Sequence, residues 1–166
     1  MEAPDGSRRT LIIGLGNPLM GMDAFGTRVI ERLLQKNSAL LQYADLADAH
    51  TDLLSRIDCF PAYERVVLID AILDPDAKIG DAGHIVLLDE EALSLWPEAS
   101  PSVHQLSPLL VVKLFRQLHP EATTRILLVG LCADRIELGS GMGAQAGVPP
   151  SEESVAAGAR KVHELL

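Results

Sequence analysis

Two carboxylates and an imidazole carry the chemistry that the residue types and spacing of this chain allow. Asp23 follows a glycine turn in Leu11-Ile12-Ile13-Gly14-Leu15-Gly16-Asn17-Pro18-Leu19-Met20-Gly21-Met22-Asp23-Ala24-Phe25-Gly26, where an apolar strand runs into the start of a helix. Asp70 closes a second apolar strand, Arg65-Val66-Val67-Leu68-Ile69-Asp70-Ala71. His104 stands in Ser100-Pro101-Ser102-Val103-His104-Gln105-Leu106, just ahead of another helix. Oxygen and imidazole ligands together suit zinc, nickel and similar divalent ions, and an incomplete protein shell leaves positions for water or substrate.

Each of the three has a plainer alternative. Asp is a favoured helix N-cap, which would explain Asp23 alone. A lone His104 could be a hydrogen-bonded structural histidine. Asp70 is harder to dismiss, because a carboxylate at the end of a buried strand costs free energy unless it is paired or ligated. His50, in the loop after the second strand, is an auxiliary ligand or substrate contact, and Asn17 in the glycine turn is a second candidate contact. His84, His119 and His163 fit ordinary strand-end and helix-end positions. No nucleophile stands out: Ser102 and Ser107 flank His104 but lie in no G-x-S-x-G elbow, and neither Cys59 nor Cys132 has a helper nearby in sequence.

The elements that position these residues follow from apolar runs and their punctuation. Leu11–Leu15 reads as a strand ended by Gly14-Leu15-Gly16-Asn17-Pro18. Ala24–Gln35 reads as a helix with Phe25, Val29, Ile30, Leu33 and Leu34 on one face. Leu40–Leu46 is a second strand, and Thr51 caps a short helix carrying Leu53, Leu54 and Ile57 that Pro61 stops. Val66–Ile69 is apolar on both faces, as a central parallel strand requires. His84–Leu88 is a short strand towards an edge, and Glu90–Leu95 gives one or two helical turns. Ser107-Pro108 caps a helix, Ile126–Leu131 is the last strong strand, and Ser151 opens a final helix carrying Val155, Ala159, Val162 and Leu166. This alternation predicts an α/β class: a single domain over residues 1–166 with a mainly parallel sheet covered on both sides. Residues 1–9 are expected to be a flexible N-terminus and 139–150 a flexible excursion. In such sheets, sites collect beyond the carboxyl ends of the strands.

Composition narrows the function classes. The 166 residues suffice for one substantial core, and 48% of them are hydrophobic. A net charge of −9, with the 14 basic residues scattered, argues against a nucleic-acid partner, since phosphate binding needs clustered Lys and Arg. No apolar stretch reaches membrane-spanning length, and no signal peptide is visible. Two separated cysteines are expected to be small buried hydrophobes in a reducing compartment. A cytoplasmic location follows from these readings.

The ordered pattern Gly14-x-Gly16-Asn17-x-Leu19-x-x-x-Asp23-x-x-Gly26, Ile69-Asp70-Ala71 and Ser102-x-His104-Gln105-Leu106 resembles the hydrogenase maturation proteases. The resemblance extends to Arg125-Ile126-Leu127-Leu128-Val129-Gly130 and the last helix. It implies a metal-dependent endopeptidase that trims a C-terminal extension from a nickel-iron hydrogenase large-subunit precursor after nickel insertion. It further implies that two acids and a histidine recognise the nickel presented by that precursor, and these match Asp23, Asp70 and His104. Either carboxylate is then a candidate for orienting the attacking water. Zinc or another divalent ion is a candidate occupant in isolation. The implied fold is a three-layer α/β/α domain around a twisted sheet of about five strands.

Three departures stand out. Met22 fills the place of a first acid before Asp23, Asp48-Ala49-His50-Thr51-Asp52 replaces a glycine-rich loop, and the 139–150 excursion is long. Two other readings compete. A non-catalytic nickel-binding chaperone of the same precursor would use the same three residues. Gly14-Leu15-Gly16-Asn17-Pro18 also resembles the opening of bacterial peptidyl-tRNA hydrolases, but Thr27-Arg28 is followed by Val29-Ile30 where their signature supplies the catalytic histidine.

Overall fold

The longest apolar runs become the centre of a sheet. In a computed structural model, residues 10–36, 42–74, 76–95, 107–134 and 147–166 are described. Five strands lie in the order β2-β1-β3-β5-β4: β1 (Thr10–Leu15), β2 (Ala44–His50), β3 (Arg65–Leu73), β4 (Ile85–Asp89) and β5 (Arg125–Ala133). The pairs β1–β2, β1–β3 and β3–β5 are parallel, while β4 runs antiparallel along the β5 edge. The fold class expected from the sequence is therefore present, with the short strand at an edge.

Side-chain alternation divides the core into two layers. Leu11, Ile13 and Leu15 of β1 and Val66, Leu68 and Ile72 of β3 face one layer, built from the 3₁₀ segment Leu54–Ala62, α2 (Glu90–Ser94) and α3 (Pro108–Leu118). Ile12, Val67, Ile69 and Ala71 face the other, where α1 (Phe25–Lys36) and α4 (Glu152–Glu164) pack. Phe25, Phe60 and Phe115 are fully buried and fill the spaces between helices and sheet. Burial of this apolar surface on both faces is the dominant favourable term holding the three layers together.

Several local expectations need correction. The second strand is Ala44–His50, four residues later than expected. As an edge strand alternating acids with small apolar residues, it shows little of the hydrophobic run that marks a buried strand. His50 is consequently the last residue of that strand and not part of the following loop. Thr51 does not cap the next segment: the N-cap is Leu53, without a side-chain capping bond, and the segment is 3₁₀ with Pro61 inside it, while Asp52 ahead of it accepts the Ser55 N–H at 3.1 Å. Leu34 is exposed, as is Cys59, while Cys132 is buried. Ser107 and Ser151 do cap α3 and α4. Of the 139–150 excursion, 139–146 lies outside the described residues, as do 1–9 and His104.

The order places the reversal of chain direction between β1 and β3. From β1 the chain passes through α1 on one face to β2, while β3 lies on the other side of β1 and leads on towards α2 and α3 on the opposite face. A crevice opens at such a switch point beyond the strand carboxyl ends, and ligands of open α/β sheets bind there.

Candidate active site

The β1–β3 ladder ends at Gly14 opposite Ile69. Beyond it β3 continues to Leu73 paired only with β5. Asp70 is thus the first β3 residue past the point where β1 leaves the sheet. It lies inside the strand, not at its end as the sequence suggested, because β5 supports β3 for three residues past it.

Two glycines bring Asp23 to the same point. Gly26, in the first turn of α1, has no room for a side chain: a Cβ there would lie 2.3 Å from both the Leu15 and Ile69 carbonyl oxygens. The helix backbone therefore rests directly on the end of β1 and on β3 at Ile69. Gly16 has φ +102°, and a Cβ would fall 1.8 Å from the Asp23 carbonyl oxygen. Only glycine allows that approach and that dihedral. The intervening loop is tied by Met20 N–H to Asn17 O at 3.0 Å and Asp23 N–H to Met20 O at 2.9 Å.

Asp23 sits in a 3₁₀ turn, Gly21–Ala24, directly before α1. Its carboxylate does not cap that turn. Oδ2 instead accepts the Asn17 N–H at 2.7 Å. The Asn17 side chain is turned inward to the loop, accepting the Leu19 N–H at 3.0 Å. Asp70 Oδ1 accepts the Ala71 N–H at 2.9 Å. Among the described residues each carboxylate keeps one oxygen without a donor.

Their electrostatics are coupled. Desolvation raises the Asp70 carboxyl well above the usual carboxylate range, and the Asp23 charge pushes it further in the same direction. Desolvation also raises Asp23, opposed by the Asn17 N–H. Two nearby acids with raised proton affinity either share a proton or hold a cation between them. Among the described residues no third His, Cys, Asp or Glu completes a metal-holding group.

His50 ends β2 opposite Leu15, the last residue of β1. Its backbone has φ +48°, its carbonyl accepts the Gly16 N–H at 2.8 Å, and its Nδ1 lies 3.3 Å from Asp48 Oδ1. Asp48 was not among the residues singled out from the sequence. The available signal was an Asp two positions ahead of a polar residue, an arrangement that favours a local side-chain to backbone turn. A depression of about 480 Å³ lies at the opposite end of the sheet, lined by Arg65, Asp89, Arg125 and Glu164 among others, and holds none of the predicted site residues.

The fold and the crevice together define a doubly wound α/β domain with an acid pair at its switch point. No protein-family model matches the chain. In sequence it is 28% identical over 155 residues to the hydrogenase 2 maturation protease of Escherichia coli K12, covering 92% of each protein. In fold it matches the hydrogenase maturating endopeptidase HybD of E. coli with a TM-score of 0.70 at 24% identity, over 95% of this chain and 91% of that one. HybD of Thermococcus kodakarensis gives 0.69 at 24% identity, over 95% and 98%. The chain is similar in sequence and in fold to the hydrogenase maturation proteases, as its motifs suggested.

Proposed function

We propose that this protein is an endopeptidase that removes a C-terminal extension from the large-subunit precursor of a nickel-iron hydrogenase after nickel has been inserted. The observation that carries the reading is the juxtaposition of Asp23 and Asp70 at the switch point, each with a raised proton affinity and, among the described residues, one oxygen without a donor. The likeness to a maturation protease over 92% of the chain supports the substrate class.

In this reading the nickel belongs to the substrate. A divalent ion between the two acids relieves their mutual repulsion and the desolvation that raises both, so the pair favours a precursor that carries its metal over one that does not. His104 is the third proposed ligand. It stands three residues before Ser107, the N-cap of α3.

Hydrolysis requires a water at the scissile carbonyl. One carboxylate orients it and takes its proton as the C–O bond forms; the proton passes to the leaving amine as the C–N bond breaks. Deeper burial and the Asp23 charge raise Asp70 further than burial raises Asp23, which suits Asp70 to take the proton.

The test mixes purified protein with the unprocessed large subunit, nickel-loaded or nickel-free, and follows intact mass. Loss of a C-terminal peptide from the nickel-loaded form alone is the expected result. Stable binding without mass loss would replace the protease with a nickel-binding chaperone of the precursor. Equal cutting of both forms would remove nickel from the mechanism.

A further inference from the structure

Asp48 lies outside the acid pair, on the edge strand, and makes more contacts with its carboxylate than a surface acid needs. Its Oδ1 accepts the Thr27 hydroxyl at 3.2 Å and the His50 N–H at 3.1 Å, and faces His50 Nδ1 at 3.3 Å. The β1–β2 register breaks at this place: Gly14 pairs with Asp48, Leu15 with His50, and Ala49 is skipped. Bulges of this kind re-aim the strand beside them.

His50 is held in the left-handed region at φ +48°, a conformation that disfavours a residue with a Cβ. Its carbonyl, turned by that dihedral, accepts the Gly16 N–H at 2.8 Å. Gly16 is itself in the left-handed region, and the next amide, Asn17, donates to Asp23 Oδ2 at 2.7 Å. The hydrogen bonds are continuous from Thr27 through Asp48, His50 and Gly16 to the Asp23 carboxylate.

We infer that Asp48 is a positioning residue: it clamps His50 in the left-handed backbone, so that the His50 carbonyl fixes the Gly16–Asn17 turn and through it the Asp23 carboxylate. The consequence for cleavage rests on the endopeptidase reading above; the consequence for the loop does not. A glycine at position 50 adopts the required dihedral without a clamp. The dependence on Asp48 must therefore disappear when His50 is replaced by glycine.

The experiment compares the wild type with Asp48→Ala, Asp48→Asn, His50→Gly and the double variant Asp48→Ala/His50→Gly, reading both cleavage kinetics and amide hydrogen exchange in the free protein. Asp48→Ala is expected to lower kcat about 30-fold with KM changed less than about threefold, the signature of a misplaced catalytic group. Asp48→Asn keeps an accepting oxygen and stays within about threefold of the wild type. The double variant returns to within about threefold of His50→Gly. In parallel, exchange at the Gly16 and Asn17 amides rises about tenfold or more in Asp48→Ala and falls back in the double variant.

A double variant that is as slow as Asp48→Ala, or that fails to fold, overturns the proposal, as does Asp48→Ala with wild-type kcat and exchange. Should Asp48→Ala alone not fold, the double variant against His50→Gly decides by the same criterion. Should the wild type cut no precursor, the endopeptidase reading falls and the exchange pattern alone decides the positioning role.

Discussion

The two ends of the sheet treat buried and half-buried acids in opposite ways. At the amino end, Glu90 meets the Arg116 guanidinium through Nε at 2.8 Å and through Nη2, and also accepts the Ile126 N–H at 3.3 Å. Arg116 also donates through Nη1 to the Ala122 carbonyl and through Nη2 to the Thr124 carbonyl, and the Thr124 hydroxyl lies within bonding distance of Phe60 O and Tyr63 O. At the carboxyl end, among the described residues, Asp23 and Asp70 have one backbone donor each and repel one another. Compensated charge at one end tethers β5, α2 and α3, whereas uncompensated charge at the other is a cost to the free protein. Such a cost is retained where a ligand relieves it.

The largest expected effect of breaking this contrast is on cleavage. Asp70→Asn keeps the shape and removes the charge, and should lower the cleavage rate by about 10²–10⁴-fold, the range for losing a positioned acid–base group. Full processing by this variant would end the proposed role of Asp70. At the other end, Arg116→Ala strands the Glu90 carboxylate and two carbonyls. About a third of each charged side chain is exposed, so the loss is moderate, about 2 kcal/mol. That corresponds to a melting midpoint lower by roughly 4–8 °C. Cleavage measured well below the midpoint should be unchanged, since Arg116 is at the far end of the sheet; a fall in kcat would show that the two ends are coupled.

The same contrast explains what could be read from the sequence. β1, β3 and β5 announce themselves because a central strand must be apolar on both faces; Asp70 stands out as the acid interrupting that rule, and Asp23 as an acid at the helix start after the glycine turn. The helix caps at Ser107 and Ser151 were legible because capping is local chemistry. β2 was displaced because its register is set by hydrogen bonds to β1, with only Ala44 and Ala49 buried along it. The Asp48 clamp was missed because its meaning depends on Thr27, Gly16 and a positive φ at His50, none of which a one-dimensional pattern displays. Cys59 was misplaced because one cysteine without periodic neighbours carries no burial signal.

The smallest expected effect is the sharpest test of the contrast, because it sets two acids four residues apart against each other. Asp74, just past the end of β3, is buried like a core residue. Desolvation would raise its carboxyl, but the N–H groups of Ile79, Lys78 and Gly80 at 2.7, 2.9 and 3.1 Å, with the Lys78 charge, hold it below the usual range. Ionised Asp74 therefore contributes stability that is present above its unfolded-state value of about 3.9 and lost as the pH falls through its lower folded-state value. Asp70 has the opposite sign. Its raised folded-state value means that the protonated acid contributes stability fully present below about 3.9 and lost as the pH rises through that raised value. Asp74→Asn should thus lower the midpoint by a few degrees near neutrality, the penalty fading in acid. Asp70→Asn should raise it by a few degrees near neutrality, the gain vanishing in acid; roughly 1 kcal/mol accounts for either shift in a chain of this size. Thermal unfolding of the two variants from pH 3 to 8 would give difference curves that are both near zero in acid and diverge in opposite directions as the pH rises. Divergence in the same direction would mean that Asp70 has a protein partner and that the acid pair is not poised for a cation.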